Sequence, residues 1–198
     1  MLQPAPRLDL LEFVTPPQGA ELIRYSYYSR KEVSSGVWPS ELQFFADQAG
    51  VAGATIRDTN MTKGSAIGNP RRFLAQFINL DVYCIDQAEA IAPDVSANLA
   101  ELLRQLVLKI ECLDKEYLTV RAWIVPAGGG LTGFSGDTVD IVANGVADKR
   151  NAYPIELNLE REASFSVKLL SPVAGGVTTT KDLIAEIVLT GLLLRPKQ

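Results

Sequence analysis

The chain has 198 residues, 47% of them apolar and 21% charged, with a net charge of −4. That length suits one domain with or without an arm, and such a domain hides enough surface to fold without a metal or disulfide staple. The acidic balance argues against a large nucleic-acid surface, which needs clustered Lys and Arg, and the absence of any histidine removes Ser-His-Asp and Cys-His catalysis and His-ligated zinc.

In chain order, residues 1–20 read as an extended N-terminal arm. Pro4, Pro6, Pro16 and Pro17 block regular structure. Leu8, Leu10, Leu11, Phe13 and Val14 are too apolar for a free tail, so the segment is expected to lie against its own domain or a neighbour. Prolines and Asp9 interrupt it where a signal peptide needs an unbroken apolar core. No window reaches the roughly 18 apolar residues of a membrane span. A protein made in a cytoplasm, away from membranes, is expected.

"ELIRYSYYSR" (21–30) reads as a strand. "SELQFFADQAG" (40–50) fits two readings. Ser40 and Gln43 make a capping box ahead of helically spaced apolar residues, with Gly50 as a stop; a short strand over Leu42–Phe45 fits equally well. Residues 51–71 read as loop, and Asn60-Met61-Thr62 within it is a formal glycosylation sequon taken as chance.

"FLAQFINLDVYCI" (73–85) predicts a strand buried largely on both faces. "DVSANLAELLRQL" (94–106) predicts the one helix, capped by Asp94 or Ser96, with Leu99, Leu102, Leu103 and Leu106 on one stripe. Strict alternation follows. "LVLKIEC" (106–112) and "YLTVRAWIV" (117–125) predict a hairpin with one wet face. Its inward set is Leu106, Leu108, Ile110 and Cys112, then Leu118, Val120, Ala122 and Ile124. After a long loop (126–153), "IELNLE" (155–160) and "ASFSVKLL" (163–170) flank a turn at Glu160-Arg161-Glu162. "LIAEIVLTGLLL" (183–194) is the last strand. The pattern predicts an all-β antiparallel sandwich of jelly-roll type, with about eight strands and one short helix, in a domain covering 21–198.

Chemistry-bearing motifs are sparse. Gly128, Gly130 and Gly133 form a G-x-G-x-x-G run after an apolar stretch. A dinucleotide fingerprint needs a helix behind its glycines, and "FSGDTVDIVANG" (134–145) has no helical spacing, so a pliable loop is expected. Asp137, Asp140 and Asp148, with Asp58 and Asn60, lack the dense pattern of a calcium loop. Asp114 with Glu116, and Asp86 with Glu89, are carboxylate pairs of the kind a glycosidase uses, but at strand ends, where charges are commonplace. Cys84 and Cys112 read as buried reduced thiols, with a disulfide between neighbouring strands as the alternative. Trp38 beside Pro39, and Trp123 alternating with Arg121, offer rings for a sugar or a subunit interface. No catalytic, metal or cofactor site is expected.

Four segments, "NPRRFLAQFINLDVYC" (69–84), "LVLKIECLDKEYLTVRAWIVPAGGG" (106–130), "NGVADKRNAYPIEL" (144–157) and "ASFSVKLL" (163–170), resemble in their order the jelly-roll virion structural proteins of bacteriophages. These are capsid or capsid-decorating (cement) subunits. The resemblance implies a non-enzymatic protein of the phage head that assembles with itself, as a homotrimer, and with other shell proteins. With the acidic balance and no long apolar window, no direct contact with nucleic acid and no membrane are expected. The resemblance also implies that Leu8, Leu10, Leu11, Phe13 and Val14 make subunit contacts. A carbohydrate-binding sandwich on a phage fibre or cell surface is the alternative.

Overall fold

The computed structural model describes residues 13–84, 101–113, 115–125, 131–132, 143–144, 152–171 and 178–197. Their strands are β1 (Ala20–Val33), β2 (Gly36–Val37), β3 (Glu41–Phe44), β4 (Arg72–Cys84), β5 (Val107–Cys112), β6 (Lys115–Arg121), β7 (Leu131–Thr132), β8 (Ala143–Asn144), β9 (Tyr153–Leu159), β10 (Phe165–Leu170), β11 (Thr178–Thr179) and β12 (Leu183–Pro196). One four-stranded sheet has the order β1-β12-β4-β9; a second has the order β3-β10-β5-β6. Every pairing in both is antiparallel. Two short ladders, β2 with β11 and β7 with β8, lie outside them.

Period-two alternation turns these strands into a sandwich. Tyr27, Phe73, Ile78, Leu80, Ile187 and Leu189 of the first sheet share one buried cluster with Phe44, Leu108, Ile110, Phe165, Val167 and Leu169 of the second. Each large side chain so buried contributes about 1.5–3 kcal/mol. The register between β12 and β4 shifts at Thr190/Gly191. Gly191 is required there: a Cβ would lie 1.9 Å from the Leu74 carbonyl oxygen.

The ambiguous 40–50 stretch forms β3 and not a helix. Phe45 ends it, fully buried with φ of 61°, a left-handed conformation rare for an aromatic residue. Two contacts hold it there: its N–H donates to Ser29 Oγ at 2.9 Å, and its carbonyl accepts from Ser65 N at 2.7 Å. The following loop then covers part of the free edge of β1. Arg30 N donates to Asp58 O at 2.8 Å, Tyr28 N to Asn60 Oδ1 at 3.0 Å, and Asn60 Nδ2 to Ser26 O at 2.8 Å. The side chain of the formal sequon is thus spent on covering a sheet edge.

Residues 101–105 are helical, with Leu102 and Leu106 fully buried and Leu103 partly so. Asp94, Ser96 and Leu99 of the predicted helix lie outside the described residues. The predicted hairpin is β5–β6, with Leu108 and Ile110 inward and Lys109 and Glu111 outward. Its second strand stops at Arg121, and Ala122–Ile124 make a 3-10 turn. Trp123 and Ile124 are therefore both exposed, which corrects the inward placement expected for Ile124. The Glu160–Glu162 turn is also not a hairpin. It joins β9, which pairs with β4, to β10, which pairs with β5 and β3, so the chain crosses from one sheet to the other.

Candidate functional site

The arm enters the first sheet on its outer face. Phe13 is only 5% exposed and packs with Leu74 and Leu194, supported by Ala20, Leu22 and Leu192. The Arg72 guanidinium carbon lies 5.6 Å from its ring centroid, a cation–π distance. Phe13 therefore docks on its own chain, whereas Val14 beside it is 79% exposed. Leu8, Leu10 and Leu11 lie outside the described residues.

The two tryptophans part company. Trp38 is 1% exposed and belongs to the main core. A sugar cannot reach its ring, which corrects its nomination as a glycan platform; its neighbours Val37 and Gly36 pair with β11. Trp123 is 60% exposed, beside the exposed Ile124.

The outer face of the second sheet is a charged ladder. Glu111 Oε1 lies 2.7 Å from Lys109 Nζ and its Oε2 lies 3.2 Å from Lys168 Nζ. Lys109 also reaches Glu116 at 3.5 Å, and Lys168 reaches Glu41 at 3.4 Å. Hydrogen bonds from the two lysines bring Glu111 down to about 2. Glu116, nominated with Asp114 as a catalytic pair, is thus the ion partner of Lys109; Asp114, Asp86 and Glu89 lie outside the described residues. At the border of the two sheets, the Tyr117 hydroxyl donates to Glu156 O and accepts from Glu156 N, tying β6 to β9.

The outer face of the first sheet is different in kind. Arg30, Glu186 and Asp81 are successive cross-strand partners on β1, β12 and β4, flanked by Tyr28, Asn79 and Tyr83. Burial, then the like charge of Glu186, pushes Asp81 up to about 6, against a hydrogen bond from the Val82 N–H. Burial likewise raises the Tyr83 and Tyr28 hydroxyls. Sequence reasoning passed over this row. Its signal was present: Asp81 and Glu186 are the lone acids of β4 and β12.

Among the described residues no group of three or more Cys, Asp or Glu side chains is placed to hold a metal. Asp58 accepts instead from the N–H and hydroxyl of Thr55, both at 2.8 Å; Asp137, Asp140 and Asp148 lie outside the described residues. So do Gly128, Gly130 and Gly133; Leu131–Thr132, between the last two, pairs as a strand with Ala143–Asn144. Cys84 and Cys112 are both free thiols. No helix among the described residues is long and apolar enough to cross a membrane.

These features define an antiparallel all-β protein with one apolar arm anchor, an exposed tryptophan and two chemically unlike outer faces. A scan against protein-family models matched none, and searches of curated proteins and of solved structures returned no match.

Proposed function

We propose that this chain is a non-enzymatic structural protein of a bacteriophage head, a capsid or capsid-decorating subunit built on a jelly roll. The order of pairing carries this reading. Of the eight strands in the two large sheets, the first pairs with the eighth (β1–β12), the second with the seventh (β3–β10), the third with the sixth (β4–β9) and the fourth with the fifth (β5–β6). One long antiparallel ribbon, folded once and rolled up, gives this nesting. Rolls of this kind serve viral capsids, lectins and cupins. A chain without histidine suits the first two uses better than a metal-dependent third.

In this reading the protein acts by burying apolar arm and loop surface between copies, as a homotrimer, and against other shell proteins. It resides in the virion after synthesis in the host cytoplasm. Its acidic balance suits an outer layer better than a surface touching packaged DNA. Because Phe13 is part of the fold, the informative truncation removes residues 1–12 and leaves Phe13. Self-association should weaken while the domain stays folded. Unchanged association would remove the arm from the mechanism.

One observation favours a second reading, a carbohydrate-binding roll: Trp123 stands exposed on its 3-10 turn. Glycan-array binding that disappears in Trp123→Ala would support it.

A further inference from the structure

We propose that Trp123, Arg121 and Arg104 form a binding site for an acidic glycan, a sugar chain bearing carboxylate or sulfate groups. The proposal rests on the carbohydrate-binding reading above and names its ligand class.

The platform is fixed by the backbone. β6 ends at Arg121, and the 3-10 turn Ala122–Ile124 starts directly after it. Ala122 N donates to Leu106 O at 2.9 Å, and Val125 N donates to Ala122 O at 3.0 Å. Ala122 and Val125 are both buried. The turn is thus anchored on either side of Trp123, which stays exposed between the anchors. A ring held out by a clamped turn loses little freedom when a ligand covers it, and its flat apolar surface suits the C–H face of a sugar ring.

The charge comes from two exposed arginines, Arg121 and Arg104. Arg121 Nη1 donates to Arg104 O at 3.4 Å, which keeps the two residues together. Among the described residues neither guanidinium forms an ion pair. The nearby acids are engaged elsewhere: Glu111 and Glu116 with Lys109, and Glu101 with Gln105 Nε2 at 3.0 Å. A guanidinium carries its N–H donors in a planar fork. With Nη1 turned to the Arg104 carbonyl, the Nε–Nη2 edge of Arg121 is left for a two-point contact with an anion.

Size decides between a sugar and a protein as the occupant. A stable protein interface takes about 800 Å² from each partner. At this end of β6, among the described residues, the exposed large apolar side chains are Trp123 and Ile124; Tyr117 stands towards the other end of the strand. The adjoining sheet face is the Lys109–Glu111–Lys168 ladder, whose charges satisfy one another. A platform this small matches sugar rings, and the arginines beside it select for an acid group on them.

The test is an array of neutral, uronic-acid-bearing, sialylated and sulfated oligosaccharides, probed with the full chain and its variants. Binding to the carboxylated or sulfated series, and not to the neutral one, is expected. It should vanish in Trp123→Ala and weaken about fivefold in Arg121→Gln, while Arg24→Gln, a change at an exposed arginine of β1, should leave it unaltered. The chain has two tryptophans and Trp38 is buried, so an emission shift on adding the uronic-acid or sulfated oligosaccharide reports Trp123 directly. Equal binding to neutral and acidic glycans would overturn the proposal and leave the carbohydrate-binding reading standing. Acidic-glycan binding that survives Trp123→Ala would also overturn it, and binding to no glycan would remove both.

Discussion

Gly191→Ala puts the largest demand on the smallest change. A methyl group at this position would lie 1.9 Å from the Leu74 carbonyl oxygen and 2.9 Å from Ala75 Cα, both backbone atoms that no rotamer change can move aside. Restoring ordinary contact of about 3.4 Å moves β12 and β4 apart locally by about 1.5 Å, and interdigitated cores resist that, at about 1–3 kcal/mol. The same movement breaks about two ladder hydrogen bonds, each worth about 1 kcal/mol. The expected loss is about 3–5 kcal/mol. With a urea slope of about 2–3 kcal/mol per molar, the midpoint should fall by about 1.5 M. Tryptophan fluorescence reports it, since Trp38 is buried in the core. Gly68→Ala is the control: its added methyl would meet only Thr62 Oγ1, at 3.4 Å, and should shift the midpoint by less than about 0.3 M. A Gly191→Ala midpoint within that same margin would refute the claimed contact between β12 and the β4 backbone.

Three further outcomes are expected. Trp38→Ala should cost about 3–5 kcal/mol, measured by urea unfolding followed by circular dichroism, whereas Trp38→Phe should cost less because the indole Nε1 has no hydrogen-bond partner among the described residues. Tyr117→Phe removes both contacts to Glu156 and should lower stability by about 1–2 kcal/mol, with faster amide exchange at Glu156. Glu111, held low by Lys109 and Lys168, contributes stability that is present above about pH 4.5 and lost as pH falls towards 2. This acid limb should flatten in 0.5 M salt, since exposed charges are screened.

Alternation made the faces legible in the sequence. Leu108 and Ile110 against Lys109 and Glu111, or Leu157 and Leu159 in β9, declare which side is wet. Partners are a different matter. Ile155–Leu159 and Phe165–Leu169 both alternate around a charged turn, and nothing in that pattern distinguishes a hairpin from a crossover between sheets. The distinction lies in β4 and β5, residues distant in sequence that supply the actual ladders. Trp38 was illegible for a similar reason: a loop position beside proline says nothing about the β2–β11 ladder beside it. Phe45 shows local preference losing to tertiary contacts, as Ser29 and Ser65 hold an aromatic residue in a conformation its own sterics oppose. The Asp81–Glu186 row was half visible. Each acid stood out alone in its strand, but their meeting depends on the register of two strands about a hundred residues apart.

On the proposed reading, this protein works by touching copies of itself. Sedimentation velocity of the full chain across about 1–100 μM tests it most directly. A species of three times the 21.5 kDa chain mass, or larger closed assemblies growing with concentration, is expected. A single 21.5 kDa boundary over the whole range would contradict it.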